Sequence, residues 1–110
     1  MARRVLNQRL RFEAVARHFL YIVACADGSL YTGYSTDPER RVAEHNSGRG
    51  SKYTRSRRPV RLAFVEERHS KADALRREIQ IKRMSREEKL RLCRLFEATR
   101  ALPLGRVSAH

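Results

Sequence analysis

Acidic residues are scarce in this chain. Twelve Asp and Glu stand against 25 Lys and Arg, a net charge of +13 over 110 residues. Such an excess disfavours self-association beyond a monomer or weak dimer and favours a polyanionic partner, nucleic acid ahead of an anionic membrane. Long apolar runs are missing, and none approaches the length of a membrane-spanning helix. Cysteine is sparse, and Cys25 and Cys93 stand in no metal-ligand or redox spacing. Free buried thiols and a cytoplasmic setting are therefore expected. Internal repeats are absent too, and the length fits one domain. Apolar residues still make up 41% of the chain, enough for a folded core.

The first seventeen residues carry Arg3, Arg4, Arg9, Arg11 and Arg17 against one acid, Glu13. They lack the apolar stretch of a secretory signal and the serines of a transit peptide. A basic extension, frayed or partly helical, is expected over 1–17. The Pro- and Gly-containing stretch after Ala101 reads as a tail, 101–110.

Between them the pattern is that of an α+β domain. Phe19 to Val23 is aromatic and β-branched, Asp27-Gly28 is a turn pair, and Leu30 to Tyr34 reads as the returning strand. Thr36 or Asp37 caps a helix that has Pro38 in its first turn and stops near Gly48. From His45 to Val65 there is no acid at all. Within that stretch, 47–59 reads as a basic surface loop, and Val60 to Val65 alternates as a third strand. Ser70 caps a second helix reaching about Arg83, and Ser85 to Glu88 is a capping box for a third. The order is β-β-α-β-α-α: a small three-stranded, mainly antiparallel sheet flanked by helices. Cations spread over such a domain, instead of lying along one amphipathic helix, argue against a membrane surface. The last helix, 85–100, is expected to pack on the domain formed by 18–84.

One residue breaks the pattern. Ala74, Leu75, Ile79 and Ile81 define an apolar arc at 100° per residue, and Glu78 falls inside it. A carboxylate there needs a partner. Lys82, one turn on, would satisfy it structurally; a metal would satisfy it functionally. On the first helix Arg41, rather than Arg40, is placed to reach a cleft, unless it merely pairs with Glu44 or Asp37. His45 shares that side. Tyr21 and Tyr31 sit on the paired strands of the predicted hairpin, where strand tyrosines usually only pack.

Taken together, Tyr21 after Phe19-Leu20, then Tyr31-Thr32-Gly33, then Arg41 and Glu78 resemble the GIY-YIG nuclease superfamily. The tyrosines are ten apart and Arg41 follows Gly33 by eight. The layout looks like the small stand-alone bacterial members, related to the nuclease domain of the excision-repair subunit that incises DNA. Phe19 departs from the family's glycine, Thr32 from its isoleucine, and Tyr34 from a lysine of the repair enzymes.

The resemblance implies an endonuclease that hydrolyses a phosphodiester, on DNA ahead of RNA, in repair or recombination. It implies one Mg²⁺ or Mn²⁺ on Glu78, a phosphate clamp at Arg41, and Tyr21 or Tyr31 orienting or deprotonating the water, with His45 as a helper. Arg49, Lys52, Arg55, Arg57 and Arg58 would grip the backbone, and Tyr53 could stack on a base. The competing reading is a nucleic-acid-binding accessory protein that keeps the fold without cleaving.

Overall fold

The alternation of Leu20 and Ile22 with Tyr21 and Val23 fixes the central strand, because both of its faces are apolar. The computed structural model describes residues 17–101. In it β1 (His18–Ala24) lies between β2 (Leu30–Ser35) and β3 (Arg61–Arg68), and both pairings are antiparallel. Leu20 and Ile22 pack with Phe64 and Ile81 on one face of the sheet. Tyr21 and Val23 pack with Cys25 and Val60 on the other. A strand covered on both sides reads as a continuous buried run, and Leu20 to Val23 are at most 1% exposed. Of the extension expected over 1–17 all but Arg17, and of the tail expected over 101–110 all but Ala101, lie outside the described residues.

Among the described residues four helices surround this sheet. α1 (Pro38–Asn46) is capped by Asp37, whose carboxylate accepts from the Arg40 amide. α2 (Lys52–Arg55) is a single turn capped by Ser51. α3 (Lys71–Lys82) is capped by Ser70, which accepts from the Asp73 amide. α4 (Arg86–Ala101) starts with the reciprocal pair Ser85 and Glu88, at 2.9 and 3.1 Å. Such reciprocal capping satisfies two otherwise orphan amides. α3 lies against β1 and β2, and α4 lies against β3, where Phe96 meets Phe64 edge-on at 5.8 Å. The fold is the α+β arrangement read from the sequence, with α2 as an addition. Among the described residues no helix is long and apolar enough to cross a membrane.

Four local expectations change. The loop 47–59 contains α2, because Ser51 can cap the amide of Thr54 three residues on. β3 runs to Arg68 instead of ending at Val65, since Glu66 and Glu67 find cations: Arg68 and Arg77 for Glu66, Arg17 for Glu67. Ile79 is 50% exposed and leaves the apolar arc of α3, whose buried members are Ala74 and Ile81. At 100° per residue Ile79 stands about 140° from Ala74, whereas Glu78 stands about 40° from it. Cys25 lies just beyond β1, and Cys93 is only half-buried; both thiols are free.

Thr32 holds a buried hydroxyl with no hydrogen-bond partner among the described residues. It stands opposite Ile22 in the ladder. A buried hydroxyl left unpaired costs about 1–3 kcal/mol. Thr32→Val keeps the shape and removes that cost. It should raise stability by about 1 kcal/mol, seen as a higher urea midpoint at unchanged slope. A lower midpoint would mean that the hydroxyl is satisfied.

Candidate active site

Gly33 faces Tyr21 across the ladder. A Cβ at position 33 would sit 2.5 Å from the Tyr21 hydroxyl oxygen, so the missing side chain is the space in which the ring lies. The ring therefore lies over β2, the outer strand, and carries its hydroxyl toward that edge of the sheet. There Tyr21 Oη lies 2.9 Å from His45 Nε2. His45 Nδ1 lies 2.7 Å from Thr54 Oγ1, which is also 3.3 Å from the Ser51 carbonyl. His45 and Thr54 are fully buried. Gly50 permits this approach, since a Cβ there would collide with the His45 ring.

The arrangement that satisfies every group runs one way. Thr54 donates to Ser51 and accepts from His45 Nδ1–H, and Tyr21 donates to His45 Nε2. The opposite tautomer leaves the Tyr21 hydrogen without an acceptor, which is costly in a buried site. Burial also holds His45 below its ordinary value, the Arg41 charge adds to this, and Glu44 opposes it. His45 is therefore neutral at pH 7 and able to accept the Tyr21 proton.

The other candidates gather around Tyr21. Burial pushes its hydroxyl up to about 12, against the pull of the Arg41 guanidinium, while Tyr31 and Glu78 push further upward. Arg41 donates to Glu44 at 2.8 Å and to the Gly50 carbonyl at 3.1 Å, and Arg40 points outward. The Tyr31 ring meets His45 edge-on at 5.3 Å and stacks on Tyr53 at 5.8 Å. Glu78 comes from α3, with its side chain 14% exposed, and pairs with Lys82 at 3.4 Å. α3 covers the face of the sheet opposite Tyr21 and Tyr31. The structural partner foreseen for Glu78 is thus present, and the Glu78 charge also acts on Tyr21.

Among the described residues no three His, Cys, Asp or Glu side chains converge. That donor set does not make a closed metal cage. An ion such as Mg²⁺, which keeps most of its waters and takes one carboxylate plus phosphate oxygens, would ask only Glu78 of the chain.

The five predicted backbone-gripping residues divide in two. Among the described residues, Arg49, Lys52 and Arg55 make no side-chain hydrogen bond or ion pair. Arg57 is tied down: it pairs with Asp27 at 3.1 Å, donates to the Tyr53 carbonyl and lies 3.8 Å over the Tyr53 ring. Arg58 donates to the carbonyls of Arg55 and Asn46. The sequence reading missed Thr54, Ser51 and Gly50. The one available signal was a serine three residues before a threonine, a local capping pattern.

A model of the GIY-YIG catalytic domain matches residues 17–91, and the chain belongs to that family. Its similar relatives are small UPF0213 proteins. One from Staphylococcus haemolyticus is 54% identical over 78 residues, which is 71% of this chain and 95% of the relative. One from Staphylococcus aureus is 56% identical over 75 residues, 68% of this chain and 92% of the relative. Two solution NMR structures are also similar. The UPF0213 protein of Bacillus halodurans is 48% identical, with coverage of 72% and 84% and a TM-score of 0.47. The protein EF2693 of E. faecalis is 39% identical, with coverage of 74% and 88% and a TM-score of 0.51.

The lowered His45 value makes stability depend on pH. Below the ordinary imidazole value of 6.5 the unfolded chain binds a proton that folded His45 refuses. Stability is thus complete above that value and is lost as pH falls from it toward the folded value. Melting temperature should fall between about pH 7 and about pH 5.5, before the lowered carboxylates begin to titrate. His45→Gln, which can still accept from Tyr21, should flatten that limb. An unchanged limb in the variant would assign the dependence to another group.

Proposed function

We propose that this domain is a divalent-metal-dependent endonuclease that binds DNA and hydrolyses a phosphodiester. What supports this most is the cluster of Tyr21, Tyr31, Arg41 and His45, with the Glu78 charge acting on Tyr21, in a GIY-YIG domain. Mg²⁺ or Mn²⁺ on Glu78, when bound, would neutralise phosphate charge and acidify water. The remaining work falls to the chain. Arg41 holds a phosphate oxygen through the donors that Glu44 and Gly50 leave free. Tyr31, half-exposed, orients the attacking water. Tyr21, at 1% exposure and with a hydroxyl raised to about 12, is a poor base. It fixes His45 and Arg41 instead. A cytoplasmic role in repair or recombination goes with this reading.

The second reading, a binding protein without cleavage, draws on the engagement of Arg41 by Glu44. A nicking assay on plasmid and branched DNA with Mg²⁺ or Mn²⁺ decides between them. Tyr31→Phe should cost roughly 10²-fold in rate and leave stability nearly unchanged. Tyr21→Phe strands His45 Nε2 and should cost about 1–3 kcal/mol of stability. Glu78→Gln should abolish nicking, keep DNA binding in chelator, and change stability by no more than about 0.5 kcal/mol. Nicking at the wild-type rate by Glu78→Gln would end the one-metal reading.

Binding should weaken steeply with salt, with a log–log slope on the order of −3 to −5. Replacing Arg49, Lys52 and Arg55 together by Gln should flatten that slope by about 2 to 3. Arg57→Ala should instead lower melting temperature, because it releases the Asp27 and Tyr53 links. Equal effects of the two changes on the slope would mean that Arg57 is also a phosphate contact.

A further inference from the structure

A second feature adjoins the tyrosine cluster. Between the hairpin turn, α2 and the start of α4 runs a groove of about 230 Å³, lined by Ser29, Leu30, Tyr53, Arg86 and Lys89. It is smaller than the roughly 300–1,000 Å³ of pockets for drug-sized ligands. Its Tyr53 wall is the ring that stacks on Tyr31, and Leu30 immediately precedes Tyr31 on β2. The groove therefore adjoins the candidate active site through the Tyr53 ring.

Its two cations stand where helix physics disfavours them. Arg86 and Lys89 occupy the first turn of α4, the positive end of the helix dipole, where acids stabilise and cations do not. They are three apart, so they share a face as like charges. The capping box uses Ser85 and Glu88 and leaves both cations free. Among the described residues neither Arg86 nor Lys89 has an acidic partner. The nearest acid on the hairpin, Asp27, is already held by Arg57 and Ser29. Two unpaired cations beside an aromatic and an aliphatic wall match a phosphate and the base attached to it.

We propose that this groove is a subsite for a nucleotide flanking the cleaved phosphodiester, with its phosphate on Arg86 and Lys89 and its base against Leu30 and Tyr53. The assignment rests on the nuclease reading for its register, but its binding can be tested without cleavage. The subsite adds α4 to the nucleic-acid surface and sets a strand path from the loop cations across Tyr31 to α4.

The probe is a fluorescent single-stranded hexathymidylate, titrated by anisotropy in chelator. Arg86→Gln with Lys89→Gln should weaken binding about tenfold and flatten the log–log salt slope by about 1.4, since each single-strand phosphate contact contributes about 0.7. Arg91→Gln with Arg94→Gln removes the same charge from outward positions of the same helix and should leave the slope nearly unchanged. Melting temperature of the first variant should hold or rise, because cations leave the positive end of the helix. Equal losses in the two variants, or no binding of the probe by the wild type, would overturn the subsite. Plasmid nicking by the same proteins separates the two readings. An affinity loss confined to the first variant supports the subsite even if no protein nicks. Wild-type affinity in that variant overturns the subsite while leaving any observed nicking intact.

Discussion

The hydrogen-bonded chain from Tyr21 through His45 to Thr54 is the constraint on which the site depends. Its three members come from β1, α1 and α2, and all are buried. Polar groups in such a place must be paired, and a missing partner costs about 1–3 kcal/mol. The chain therefore locks the sheet, the first helix and the basic loop in one arrangement. It also explains two glycines: Gly33 leaves room for the Tyr21 ring, and Gly50 leaves room for His45. Neither requirement concerns backbone freedom; both concern close approach.

The distribution of acids follows a second rule. Most of the described carboxylates serve the chain internally. Glu66 and Asp73 hold Arg68 and Arg77, Asp27 holds Arg57, Glu44 holds Arg41, and Asp37 and Glu88 cap helices. Surface pairs of this kind add little stability each. Their larger effect is on the field. They cancel cations where the fold needs order, and among the described residues they leave Arg49, Lys52, Arg55, Arg86 and Lys89, with others on α3 and α4, free to act on a polyanion.

The strands, the three longer helices and their caps were legible in the sequence because each rests on short-range signals: alternation, turn pairs and serine or aspartate caps. The cluster of Tyr21, Tyr31, Arg41 and Glu78 was legible only as an ordered motif, since each residue alone has an ordinary packing role. What the sequence concealed is non-local. The extension of β3 through Glu66 and Glu67 depends in part on distant arginines, Arg77 of α3 and Arg17. The role of Thr54 depends on a histidine nine residues away, and the restraint of Arg57 on an aspartate thirty residues away. Ile79 misled because the apolar arc was counted by residue type, while the sheet contacts a narrower stripe of α3.

The position occupied by lysine in the repair enzymes clarifies how this site must work. Tyr34 stands opposite Leu20, on the α3 side of the sheet. Its hydroxyl lies 2.7 Å from His18 Nδ1, the two rings are stacked, and Lys71 of α3 lies over it at 5.8 Å. Tyr34 is thus committed to a contact that ties the start of β1 to the end of β2, and it cannot serve as a cation beside Tyr31. The positive charge that acts on Tyr21 comes instead from α1, at Arg41. Arg41 is in turn steadied by Glu44 and the Gly50 carbonyl. Charge that a flexible lysine could bring from the strand is supplied here by an arginine held in a planar fork. The site gains order, and it gives up some of the donors that a phosphate would use.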